Sequence, residues 1–340
     1  MQERFNWRSW KDRVSKGTVG SNPTLSDVKM IKKFKTIQSE LKEISDFEKG
    51  CWVNVSNQTN NNELKTLCQK LNVPLDFLTD PLDVNERSRI ETEGGYTLIV
   101  LRAPLFDENN VDVPFTTLPI GIIFNEDLFI TVCSKDSEII ADFINGKVKN
   151  FSTEDKSSAI LKIFSRTALL YLKYLREINS RTNIVEKELH KAMKNEELIK
   201  LLNIEKSLVF FVTSLKANEF MMDRLQKMEI VKLDSEDKNL LEDVIIENKQ
   251  AIEMANVYSN ILSGMMDAFA SVISNNLNVV LKFLTSVTII VMIPTLIASI
   301  YGMNVELPFQ HSLHAFVIVM IISIVLSMSG VLMFMKRKWF

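Results

Sequence analysis

The chain has 340 residues, with 40 Lys and Arg against 42 Asp and Glu and a formal net charge of −2, so no global basic field points to nucleic acid. Its three cysteines, Cys51, Cys68 and Cys133, stand far apart without a CxxC spacing. That pattern fits free thiols in a reducing compartment and argues against a disulfide framework or a zinc knuckle.

The first thirty residues carry Arg4, Arg8, Lys11, Arg13 and Lys16 but no apolar run. No cleavable signal peptide is visible there, and the soluble part is expected in the cytoplasm. Glycine and proline then divide the chain. Residues 1–146 hold seven Gly and six Pro, whereas residues 147–293 hold only Gly264 and no Pro. The first part can turn often, and the second reads as long helices.

In the first part, Cys51–Val55, Tyr96–Leu101, Ile120–Phe124 and Leu128–Val132 read as strands, with Asn125-Glu126-Asp127 as a hairpin turn. Asn61–Leu71, Pro74–Leu78 and Asp136–Ile144 read as short helices. Strands interleaved with helices predict an α/β or α+β domain. Gly94-Gly95 alone is too little for a phosphate loop.

Two long antiparallel helices are expected from Thr153 to about Glu229, joined near Met193–Glu197. Their acids Glu186, Glu188, Glu196 and Glu197 read as solvated faces. Asp234-Ser235-Glu236-Asp237 offers a helix start with an N-cap candidate and acids in the first turn. From Asn239 to Tyr301 only Gly264 and Pro294 interrupt. One helix of that length would run ~95 Å at ~1.5 Å per residue.

Residues 283–305 and 307–335 contain no Asp, Glu, Lys or Arg. Within them Phe283–Tyr301 and Ala315–Met335 are each about the length that an α-helix needs to cross ~30 Å of hydrocarbon. Lys282 precedes the first stretch and Lys336-Arg337-Lys338 follow the second, while the loop 302–314 has no Lys or Arg. The positive-inside rule puts both termini in the cytoplasm and the loop outside. Trp339 and Phe340 would anchor the inner interface.

Along the long helix, Asn256, Asn260, Ser263, Asp267, Ser271 or Ser274, Asn278, Leu281, Thr285, Thr288, Met292, Thr295 and Ser299 recur at steps of three and four. This stripe is mostly small and polar, the reverse of an ordinary coiled-coil seam. Its flanks are apolar (Ile261, Leu262, Phe283, Val287, Ile290, Val291). It stays polar where polar groups facing lipid would be costly. Hydroxyl glue between packed helices uses one or two positions. A stripe this long fits a wet axis surrounded by several copies, since two spans per chain cannot enclose a pore. Without acids or bases inside the membrane, it suits a hydrated cation, and Mg2+ releases its waters most reluctantly. Leu281, Leu284 and Met292 are candidate hydrophobic gates, Asp267 an acidic ring at the inner mouth, and Lys282 with Lys336, Arg337 and Lys338 a basic collar. Nothing resembles an enzyme site: there is no nucleophile–base pair, metal triad or phosphate loop.

Tyr301-Gly302-Met303-Asn304, at the end of the first of two C-terminal spans, resembles the Gly-Met-Asn signature of the CorA family of divalent-cation channels. The tail ending Lys336-Arg337-Lys338-Trp339-Phe340 agrees. The resemblance implies an α+β cytoplasmic regulatory domain (1–150), a helical stalk (151–282) and a transmembrane hairpin (283–340), assembled as a homopentameric funnel in the cell membrane. It implies influx of Mg2+, with Co2+ or Ni2+ in some members. The filter would be Gly302, Met303 and Asn304, with Gly302 allowing a tight turn, and the pore lining Asn278, Leu281, Leu284, Thr288, Met292, Thr295 and Ser299. It also implies sensing of intracellular Mg2+, with Asp80 and Asp243 bridging subunits through bound metal. The outer loop departs from the family pattern: it reads Val305-Glu306-Leu307-Pro308-Phe309-Gln310, with His311 and His314 beyond. Rival expectations are a zinc transporter of the related ZntB type and a non-conducting, membrane-tethered sensor.

Overall fold

The computed structural model describes residues 31–38, 40–56, 61–108, 110, 112–191, 195–228, 231, 233–303 and 313–337. They form two compact units: residues up to Ile178 with Lys206–Asn256, and Asn179–Glu205 with Val257 onward.

The first unit is built on a seven-stranded sheet in the order β2-β1-β3-β7-β6-β5-β4. The strands are β1 (Ile31–Ile37), β2 (Glu40–Glu43), β3 (Trp52–Ser56), β4 (Arg89–Glu93), β5 (Tyr96–Phe106), β6 (Phe115–Phe124) and β7 (Phe129–Cys133). Among the described residues only the β3–β7 pair is parallel. Helices cover both faces, which is why Leu98 to Leu101 form an unbroken, fully buried apolar run. On one face Val53, Val55, Leu98, Val100, Ile130 and Val132 meet Leu64 and Leu67 of α1 (Asn61–Leu71) and Phe77 and Leu78 of α2 (Leu75–Thr79). On the other, Trp52 meets Phe143 of α3 (Glu138–Ile144) edge-on at 6.3 Å. Phe115 meets Phe211 of α5 (Asn195–Met228), and Phe211 meets Tyr171 of α4 (Lys156–Lys191). The Trp52 indole N–H donates to Thr131 Oγ1 at 2.8 Å, so its polar edge is satisfied inside the core.

The turns follow from local chemistry. Asn125 Oδ1 accepts the amides of Asp127 and Leu128 and closes the β6–β7 hairpin. Gly94 and Gly95, at φ 59° and 79°, form the two-residue β4–β5 turn, a conformation that other residues resist. Asp234 caps the last long helix as expected: its Oδ1 accepts the Asp237 amide at 2.8 Å.

Three strands lie outside the runs read from the sequence. β1 (IKKFKTI), β2 (ELKE) and β4 (RIETE) are too charged to give an apolar signal. β5 and β6 also outrun their apolar cores and pair as far as Phe106 and Phe115.

The second unit holds the hairpin ends Asn179–Lys191 and Asn195–Glu205, the long helix from Val257, and the C-terminal helix. Leu189, Leu201, Leu262 and Phe269 are buried within it. Glu197 departs from the solvated reading: it is 8% exposed and accepts from Lys200 Nζ at 2.8 Å. Helix α6 (Ser235–Tyr301) runs 67 residues and contains Pro294; α7 (Ala315–Lys336) runs 22. Both are long and apolar enough to cross a membrane. α6 ends at Tyr301, where the first uncharged stretch gives out, and α7 matches the second stretch to within a residue.

Candidate ion path and regulatory loop

Two faces of the membrane part of α6 differ. Ser286 is fully buried, and its hydroxyl donates to the Lys282 carbonyl at 2.8 Å. Further along the same face, Ile290 and Ile293 approach Gly330 of α7, where an added Cβ would lie 3.7 Å from Ile293 Cδ1. Ser323 and Phe334 of α7 are buried as well. The absence of a side chain at Gly330 lets the two helices come close.

Leu281, Leu284, Thr288, Met292, Thr295 and Ser299 fall about half a turn away, at 3.6 residues per turn. All six are exposed, as are Asn278 and Asp267 nearer the N-terminal end of the helix. The stripe therefore lies away from the face that α7 covers, except that Thr295 borders a cavity it shares with Met320 and Ser323 of α7. Thr288 Oγ1 donates to the Leu284 carbonyl at 2.8 Å, and Thr295 Oγ1 to the Val291 carbonyl at 3.0 Å. With their protons engaged, these hydroxyls present only lone pairs outward. A row of such acceptors suits the protons of water around a cation.

At the end of α6 the Gly302 amide donates to the Ala298 carbonyl at 2.9 Å. Gly302 lies in the turn that ends α6, without a positive φ. A Cβ there would sit 3.3 Å from the Ala298 oxygen, tighter than a side chain ordinarily allows. Met303 is exposed. Asn304, Glu306, His311, Lys338, Trp339 and Phe340 lie outside the described residues. Lys282, Lys336 and Arg337 are exposed near the opposite ends of the two spans.

The Asp80 loop sits on the sheet of the first unit. Asp80 opens a single 3-10 turn, Asp80–Leu82, whose Pro81 is buried. Pro81 rests on Gly121 of β6. Beyond it, the Arg102 guanidinium donates to the carbonyls of Val84 and Glu86, at 3.0 and 2.6 Å. Ser88 Oγ donates to Asn218 Oδ1 at 2.8 Å. Asn218, fully buried on α5, also bonds both the amide and the carbonyl of Arg102. Burial lowers the Arg102 pKa, against the pull of nearby Tyr171 and Glu86. The Asp80 carboxylate itself accepts from Arg89 Nη2 at 2.6 Å.

Asp243 is exposed on α6. One turn on, Glu247 Oε2 is buried without a hydrogen-bond partner among the described residues. Burial, and then the neighbouring Asp243 charge, raise the Glu247 pKa. Among the described residues of one chain, no group of three or more His, Cys, Asp or Glu is placed to hold a metal ion. Arg89, Arg102, Gly121 and Asn218 escaped the sequence reading. Gly121 and Arg102 did leave a trace, each interrupting an otherwise apolar strand run.

Residues 47–337 match the profile of the CorA-like Mg2+ transporter protein family. The cobalt/magnesium transport protein CorA of Methanocaldococcus jannaschii is 29% identical over 282 residues, covering 82% of this chain and 87% of the relative. Its counterpart in Thermotoga maritima is 22% identical, covering 92% and 90%. The complete structure of the Methanocaldococcus jannaschii CorA magnesium transporter superposes with a TM-score of 0.78 at 26% identity, over 92% of this chain and 99% of that one.

Proposed function

This chain belongs to the CorA-like Mg2+ transporter family, and on that premise we propose that it is a cation channel gated by intracellular Mg2+. Five copies would surround an axis lined by Asn278, Leu281, Leu284, Thr288, Met292, Thr295 and Ser299. Mg2+, and with it Co2+ or Ni2+, would pass inward down its electrochemical gradient. The observation that carries this reading is the polar stripe on α6, exposed and, apart from Thr295, set away from α7.

The chemistry follows from the donors. Mg2+ keeps several waters in protein sites. Its bound waters are strong donors, and outward-facing hydroxyl oxygens at Thr288 and Thr295 accept from them without stripping the ion. Asn304, Gly302 and Met303 would form the outer filter, with a ring of Asn304 amide oxygens holding the hydrated ion. Leu281, Leu284 and Met292 would close the path by dewetting. Asp267 would form the inner acidic ring, and Lys282, Lys336, Arg337 and Lys338 the basic collar. Residues 1–150 would act as the regulatory domain, 151–282 as the stalk and 283–340 as the membrane hairpin, with both termini in the cytoplasm of the cell.

Asp80 and Asp243 supply the hard carboxylate oxygens that Mg2+ takes one or two at a time. Since no single chain gathers three ligands among its described residues, a site that joins one acid from each of two subunits fits the donor set. Bound metal would hold the subunits together and the pore shut, and its loss would leave acids that repel. The deciding experiment is Mg2+ uptake into proteoliposomes, with Zn2+ as a parallel arm. Selective Mg2+ uptake that Asn304→Ala abolishes is the expected result. No uptake, or unchanged selective uptake in the variant, refutes the reading.

A further inference from the structure

Arg89 occupies an unusual position. Its Nη2 donates to Asp80 Oδ2 at 2.6 Å, its Nε to Glu91 Oε2 at 3.0 Å, and its Nη1 to Glu86 Oε1. Three carboxylates thus share one guanidinium, which is 29% exposed. One of the three is the acid assigned above to the regulatory site. A carboxylate already in a charge-assisted bond to arginine is a poorer ligand for an incoming dication, because the bond must be given up or shared.

We propose that Arg89 is a built-in competitor of Mg2+ for Asp80 and sets the Mg2+ concentration at which the cytoplasmic site fills. This rests on the assignment of Asp80 to that site. The arrangement makes the exchange easy. When a metal takes Asp80, Arg89 keeps Glu86 and Glu91, so its charge is never left bare and its fork is still satisfied. The acids are fixed for this exchange by independent contacts. Glu86 is held through its own carbonyl by Arg102, Glu91 sits in the β4–β5 ladder, and Asp80 is seated by the Pro81 turn. Arg89 therefore moves between partners without the loop moving with it. A lysine could not do this, since one ammonium lacks the planar fork that serves three carboxylates at once.

The test is a Mg2+ titration of the full-length protein in detergent, read as the midpoint for protection against limited proteolysis and for the rise in Tm. Neither readout depends on transport. Arg89→Gln is expected to lower the midpoint by about fivefold, equivalent to ~1 kcal/mol at 1.4 kcal/mol per tenfold. Arg89→Lys should lower it by less. Removing a positive charge also makes the loop more negative, so Arg89→Gln with Glu91→Gln restores the local net charge. The lowered midpoint must persist in that double variant; a return to the wild-type value assigns the effect to net charge and overturns the proposal. A midpoint unchanged or raised in Arg89→Gln, while Asp80→Ala weakens protection, overturns it too but leaves the regulatory assignment standing. An Asp80→Ala protein with wild-type protection removes the assignment and the proposal together. If Arg89→Gln does not fold, Arg89→Lys decides: an unchanged midpoint overturns the proposal.

Discussion

Pro81 lies directly over Gly121: a Cβ built on Gly121 would fall 2.3 Å from Pro81 Cγ and 2.7 Å from Pro81 Cβ. No real side chain fits there. The turn that carries Asp80 is thus seated on the sheet through a position that only glycine can fill. Gly121→Ala should force the proline ring away, at a cost of about 1–3 kcal/mol. Thermal unfolding will show a lower Tm, and Mg2+ protection should weaken because Asp80 moves with its turn.

Asp80→Ala and Asp243→Ala should each raise the intracellular Mg2+ needed for closure. Recording currents from reconstituted channels while Mg2+ on the cytoplasmic side is varied checks this. Closure at the wild-type concentration in either variant would remove that acid from the site.

The stripe and its opposite face should respond differently to loss of a hydroxyl. Thr288→Val and Thr295→Val keep the shape but remove the outward lone pairs. Each should slow Mg2+ uptake by about two- to tenfold, the equivalent of one hydrogen bond. Ser286→Ala, on the buried face, should leave uptake near wild type. Similar losses at all three positions would mean that the stripe has no special role.

Gly330 tests the contact between α6 and α7. An alanine Cβ would meet Ile293 at an ordinary 3.7 Å, so Gly330→Ala should be nearly neutral. Gly330→Leu has no such room and should destabilise the hairpin by about 1–3 kcal/mol. Melting of the full-length protein in detergent measures both.

Asp142 predicts a pH dependence. Its side chain is 5% exposed and paired with Lys147 at 2.9 Å and with Arg166. Burial alone would push its pKa up, but the two cations outweigh this and hold it below the usual carboxylate range. A folded pKa below the unfolded one gives stability that is present above the unfolded value, ~3.9, and lost as pH falls through the folded value. Asp142→Asn should therefore cost on the order of 1–3 kcal/mol at pH 7. The difference from wild type should shrink below about pH 4. Unfolding curves across this range check the sign.

The spans, the α6 stripe and the cap at Asp234 were legible because each rests on residues close in sequence: a charge-free run, a repeat of three and four, an acid three residues before the amide it caps. The edge strands were not. Phe34 is the single buried residue of β1, and the strand exists because β2 and β3 pair with it on either side. The Asp80 loop was legible only as a likeness to the family. Its supports, Gly121, Arg102 and Asn218, come from 22 to 138 residues away in the chain (121 and 102 against 80, and 218 against 80). No local pattern announces such contacts. Glu197 read as a solvated acid because charge is visible in a sequence, whereas the burial that the fold gives it is not.

The two outermost strands of the sheet have a shared consequence. β2 presents Glu40, Lys42 and Glu43 to solvent, and β4 presents Glu91, Thr92 and Glu93. An open sheet edge is a template on which another chain can grow, and charged side chains are the common protection against it. Both ends of this sheet are closed to fibre-like growth in that way. Glu91 then serves twice, as a partner of Arg89 and as a guard on the sheet's exposed border.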